Sequence, residues 1–146
     1  MMGKRVLAIG LDPHTIDFAS DFFRGQPLKD ASMIADGIKA DEARLRRMGY
    51  DFQWLLIDAR GGAEAASAAA RAALAGRPVE VVVIGGGVRF DPAQTPVLEA
   101  LVNTVIQAAP GARLAFNTSP TTTAEAVGRV LRQEAPSTSN ITLPPR

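Results

Sequence analysis

Four short apolar runs alternate along this chain with segments of helix length, and that rhythm leaves few folds open. The clearest run is Val79-Glu80-Val81-Val82-Val83-Ile84, rich in β-branched residues and closed by Gly85-Gly86-Gly87. Runs of similar character lie over 5–10, 52–58 and 113–117, so strands are predicted there and over 79–84. Strands that are apolar at nearly every position suit a sheet covered on both faces, which is the environment of parallel strands.

Helices fill the intervals. Ile34, Ile38, Leu45 and Met48 recur at helical spacing, with Arg44, Arg46 and Arg47 mostly off that stripe and Gly49 as the stop. An alanine-rich helix is predicted over 64–74, ended by Gly76 and Pro78. A third takes Thr95 as N-cap and Pro96 as its first residue, with Leu98, Leu101, Val102 and Val105 on its apolar face and Pro110-Gly111 as its end. A fourth opens on Thr122 and Glu125, a capping-box pair, and buries Val127, Val130 and Leu131.

Repeated strand–helix units give the expected class: α/β, a three-layer doubly wound sandwich with a mostly parallel sheet. Right-handed crossovers make the flavodoxin-like strand order 2-1-3-4 the natural arrangement for a chain of 146 residues. One domain is expected over 1–134. Residues 140–143 form a candidate fifth strand, but the prolines and serines around them favour a loose tail over 135–146.

Composition narrows the function classes. The net charge is +1 and aromatics are 5%, so neither a basic field nor a stacking platform for nucleic acid is present in the sequence. Cysteine is absent, which removes thiolate nucleophiles and zinc–thiolate sites, and a single histidine leaves no metal-ligand cluster to predict. The apolar run after Lys4 and Arg5 is too short for a signal-peptide core, and no stretch has the length of a membrane span, so a cytoplasmic protein is expected with no membrane partner. The sequence names no cofactor.

Residues 11–28 break the rhythm. They separate the first strand from its helix by far more than the usual connection and hold Phe18, Phe22 and Phe23, three of the six phenylalanines. Such a segment is a lid, a binding loop or a partner surface. Rings of this size ordinarily pack onto their own domain.

In open α/β sheets the ligand crevice lies beyond the carboxyl ends of the strands, where the strand order reverses. Loops 11–17, 58–62, 85–90 and 117–123 should gather there. Gly85, Gly86 and Gly87 let main-chain N–H groups approach an anion, and Arg89 and Arg60 are candidate anion contacts. Asn117, Thr118, Ser119, Thr121 and Thr122 lead into a helix N-terminus, which favours negative charge. These residues form the expected cradle for a small anionic or polar metabolite. His14, with Asp12 or Asp17 to orient it, is the candidate acid–base residue of a small hydrolase or proton-transfer enzyme, because histidine is the residue type whose unperturbed pKa lies near neutrality. The alternative is a non-catalytic module that forms a homo-oligomer through Phe18, Phe22 and Phe23.

Three resemblances bear on these expectations. The layout is similar to receiver domains of two-component signalling, with Asp12 matching part of the acidic cluster and Thr118 or Ser119 the hydroxyl residue. The third strand ends in glycine where that family has its aspartate, and no lysine follows the fourth, so phosphoaspartate chemistry is not expected. Asp12-Pro13-His14 also resembles the Asp-x-His of cobalamin-binding domains, but Asp17 stands where their glycine belongs, so His14 is not expected to ligate cobalt. Residues 10–18 and 116–125 resemble segments of small stand-alone bacterial α/β proteins over residues 4–132, which implies the fold and no activity.

Overall fold

A computed structural model describes residues 3–132. The tail expected over 135–146 and its candidate strand at 140–143 lie outside the described residues. Strands β1 (Arg5–Leu11), β2 (Asp51–Ile57), β3 (Val81–Ile84) and β4 (Arg113–Phe116) form one parallel sheet in the order β2-β1-β3-β4. The sheet is parallel throughout, in register Ala8↔Trp54, Ala8↔Val83 and Val83↔Ala115. Helices cover both faces, as the uninterrupted apolar runs require.

On one face, α3 (Gly62–Leu74) and α5 (Thr95–Ala108) pack on Leu7, Ile9, Val82 and Ile84. On the other, Leu45 of α2 (Ala31–Arg47) and Ala124, Ala126 and Val127 of α6 (Thr123–Arg132) pack on Val6, Ala8, Val81 and Val83. Two short helices complete the set, α1 (Asp21–Arg24) within the long first connection and α4 (Gly86–Phe90) after β3. Neither shows in the sequence, because a single turn has no periodicity to read.

Helix boundaries hold some corrections. The α2 N-cap is Asp30, whose carboxylate accepts from Met33 N at 3.0 Å. At the far end Gly49 takes φ +95°, a left-handed conformation that glycine adopts without penalty. Thr95 is the first residue of α5 rather than its cap: a 3-10 turn over Pro92–Gln94, opened by Asp91, leads directly into the helix. The capping box expected at α6 is replaced. Thr122 Oγ1 faces back into its own loop, accepting from Thr118 N at 2.9 Å and Ser119 N at 3.0 Å. Glu125 pairs with Arg44 of α2 at 2.7 Å. The N–H of Thr123 is taken instead by Asp41 Oδ2, at 2.9 Å, from α2.

Asp41 is 2% exposed, and burial raises its pKa above the ordinary 3.8 while the Thr123 hydroxyl and N–H, both bonded to it, hold the rise down. A raised carboxyl pKa favours the folded state fully below about 3.8, and that advantage is lost as pH rises through the raised value. Asp41→Asn keeps an acceptor for Thr123 and carries no charge to bury. It should therefore equal or exceed wild-type stability at pH 7, with the difference vanishing below the ordinary carboxyl pKa. Asp41→Ala should lose about 1 kcal/mol for the missing cap. Urea unfolding across that pH range measures both, and an Asn-minus-wild-type difference independent of pH would contradict the assignment.

Candidate functional site

At the carboxyl end of the sheet, β1 leads toward the α2 face and β3 toward the α5 face, so the chain parts between them. A cavity of about 180 Å³ lies at this point. Its floor is Gly10 and Leu11 at the end of β1, with Gly85, Gly86 and Gly87 at the end of β3. The α2 side supplies Ile34 and Ile38, and Trp54 comes from the edge strand. The outer wall is the long first connection, through Ile16, Phe22, Phe23 and Leu28. Asn117, Thr118, Ser119 and Pro120, at the end of β4, close the remaining side. No lining residue carries a charge.

The phenylalanines of the connection turn inward. Phe23 is 8% exposed and stacks edge-on with Phe18 and Phe22 at centroid separations of 5.6 and 5.0 Å. Residues 16–30 form hydrogen bonds only with chain neighbours, the farthest five residues apart, among the described residues. The wall is thus held to the body by apolar contact. Thr15 ties the start of the connection to the loop after β2, its Oγ1 accepting from Ala59 N at 2.8 Å.

The glycine run is shaped by packing. Gly85 has φ −72° and positive φ is confined to Gly49, Gly62 and Gly76 among the described residues, so no left-handed exit is made here. A Cβ on Gly87 would stand 3.2 Å from Leu11 Cδ1, and one on Gly86 3.1 Å from the Phe90 ring. Gly10 lets the Trp54 ring lie over β1, where a Cβ would meet it at 3.4 Å.

Arg89 is half-buried and bonded through both terminal nitrogens. Its Nη1 donates to Ile84 O at 2.6 Å and its Nη2 to Asn117 O at 2.7 Å, with Phe90 and Phe116 against the guanidinium at 4.6 and 5.0 Å. Burial lowers its pKa below the ordinary guanidinium value. It joins the ends of β3 and β4 rather than pointing at a ligand. Arg60 is exposed, pairs with Asp58 at 3.6 Å and lies outside the cavity lining, as does its loop.

The hydroxyl run serves its own loop. Besides the two main-chain donors, Thr122 Oγ1 contacts Thr118 Oγ1 at 3.1 Å and donates to Ser119 O at 3.2 Å, while Ser119 Oγ and Thr121 Oγ1 pair at 3.0 Å. Thr118 and Ser119 still reach the cavity edge. Gly37 of α2 allows this loop to approach, since a Cβ there would stand 3.1 Å from Pro120.

The three residues assigned to acid–base work are not gathered around an imidazole. His14 is exposed on a 3-10 turn (Pro13–Thr15) and lies outside the lining. The Asp12 carboxylate accepts from the main-chain N–H of His14 at 3.0 Å, and that of Asp17 from Ala19 N at 2.9 Å. Both aspartates shape turns. No group of three or more metal-ligating side chains occurs among the described residues, and no helix there is long and apolar enough to cross a membrane.

Two cavity residues carry polar atoms that are buried without a partner: Trp54 Nε1 and Asn117 Oδ1. Trp54 was not singled out from the sequence. The available signal was Gly10 within an otherwise bulky strand, since a glycine there marks close approach of a large neighbour. A larger depression, about 670 Å³, lies between α3 and α5, but it is open to solvent and lined mostly by alanine methyls.

Arg89→Met should remove two charge-assisted hydrogen bonds and leave two carbonyls unpaired, destabilising the fold by about 2–3 kcal/mol. Denaturant unfolding measures this, and a variant as stable as wild type would return Arg89 to the role of a free anion contact. Compared with known proteins, the chain matches no family model, no curated protein and no solved structure.

Proposed function

We propose that this protein binds a small, mostly apolar molecule in the cavity at the carboxyl end of β1, β3 and β4. The observation that carries the reading is a cavity walled by Phe, Ile, Leu and Trp at the reversal of strand order, the place where open α/β sheets take their ligands. Its volume of about 180 Å³ matches roughly six waters at ~30 Å³ each and falls below the ~300 Å³ at which drug-sized pockets begin. Apolar cavities of about 150 Å³ take up benzene. The uncharged lining favours a ligand with an apolar body over the purely anionic one that the glycine and threonine loops suggest. Arg89, the nearest cation to those loops in sequence, is bound to main-chain carbonyls.

Trp54 is the only tryptophan of the chain and lines the cavity, so it reports on occupancy. Toluene should change its fluorescence saturably. Leu28→Phe, which adds volume to the wall, should weaken that binding about tenfold or more while circular dichroism stays unchanged. A non-saturating response, or equal affinity in the variant, argues against the cavity as the binding site.

A further inference from the structure

We propose that a second copy of this chain docks on the free edge of β2, joining the two sheets into one continuous sheet about a two-fold axis.

The two edge strands are not alike. β4 is four residues long, begins on Arg113, and its Phe116 carbonyl accepts from Arg129 Nη2 at 2.7 Å. Short length and edge cations are devices that keep a strand from pairing further. β2 is seven residues long and has no charged residue, proline or glycine between Asp51 and Asp58. Its ladder to β1 opens with Asp51 N donating to Lys4 O and closes with Asp12 N donating to Ile57 O. A parallel pairing uses alternate residues, so the main-chain N–H and C=O of Phe52, Trp54 and Leu56 face away from β1. Of these groups only the Phe52 carbonyl has a partner among the described residues, Arg46 Nη2 at 3.3 Å.

The edge is complementary to itself. Antiparallel pairing centred on Trp54 sets Trp54 beside the second copy's Trp54 and Phe52 beside its Leu56, and every outward group of both strands then finds a partner. The three side chains share one face, so the aromatic and aliphatic groups meet across the junction. The charges fit the same reversal. Asp51 pairs with Arg77 at one end of the strand and Asp58 with Arg60 at the other. The two-fold axis brings the first pair of one copy beside the second pair of the other, which gives each carboxylate another guanidinium.

The helices agree. Leu45 of α2 shares a cluster with Val6 and Ala8 of β1 and Phe52 of β2, so α2 lies over these two strands. Joining the copies at β2 sets their α2 helices about two strand spacings apart, ~10 Å, the distance at which helices pack. The basic end of α2, with Arg44, Arg46 and Arg47, lies near the start of β2, as the Arg46–Phe52 bond shows. The reversal places that end against the other copy's amino half, which carries Asp30 and Asp36. A strand from another protein has no reason to repeat this order of charge, whereas a second copy repeats it by symmetry.

Sedimentation velocity of the whole chain tests this. At about 100 μM the mass should be twice 15.4 kDa, since interfaces of ordinary size hold at micromolar concentrations or below. Leu56→Lys puts a cation on the edge and should weaken the dimer about tenfold or more, with circular dichroism unchanged. Phe116→Lys, on the β4 edge, should leave the dimer intact. Amide hydrogen exchange of the wild type gives a readout that needs no variant: the main-chain N–H groups of Trp54 and Leu56 should be protected at about 100 μM and lose protection on dilution. A wild-type monomer at that concentration overturns the proposal, whatever other strand pairs with β2. So does a dimer that withstands Leu56→Lys, one that Phe116→Lys dissociates, or one in which the Trp54 and Leu56 amides exchange freely.

Discussion

Val6, Leu7, Ala8 and Ile9 of β1 lie beside Val81, Val82, Val83 and Ile84 of β3, and none of these side chains is more than 1% exposed. A parallel pair buried on both faces has nowhere along its length for polar chemistry, because an unpaired polar group there would meet only hydrocarbon. Every polar or irregular feature is displaced to the strand ends. At the carboxyl end the chain leaves β1 toward α2 on one face and β3 toward α5 on the other. The two crossovers part to opposite faces, so the crevice is a consequence of the crossovers, and the β1–α2 connection walls its outer side.

What fills the edge of that crevice is set by size complementarity. Gly87 withdraws a side chain where Leu11 presses in, and the Trp54 ring lies against β1 at Gly10. The apolar wall over 16–28 then closes the space with rings that also stack on one another. Of the glycines that resemble an anion cradle in sequence, Gly86 leaves clearance for the Phe90 ring and Gly87 for Leu11. The Gly85 N–H donates to Ile9 O at 2.8 Å, and the guanidinium that would complete an anion site is bonded to the ends of β3 and β4.

The fold was legible because burial leaves a one-dimensional trace. Continuous apolar runs identify the doubly covered strands, and the rule of right-handed crossovers orders them. The cavity's position followed from that order, and Gly85–Gly87 and Asn117–Ser119 do line it. The roles of individual polar residues were harder to read. A threonine that bonds its own loop, as Thr122 does, and one that caps a helix have the same local sequence. Asp41 sits 82 residues from Thr123, so no local pattern announces that it caps α6. His14 is the only histidine of the chain, yet residue type says nothing about which way a side chain faces.

Asp41 shows how the α2–α6 side of the fold is tied. Its carboxylate caps α6 by accepting from Thr123 N, and the Thr123 hydroxyl oxygen accepts from Asn117 Nδ2 at the end of β4. Docking of α6 on α2 and the exit of β4 therefore share one buried residue. The opposite wall has no such tie: its hydrogen bonds run only within the segment, and its hold on the body is dispersion and burial, which act in no preferred direction. The cavity thus lies between an edge fixed by directional hydrogen bonds and a wall held by non-directional forces.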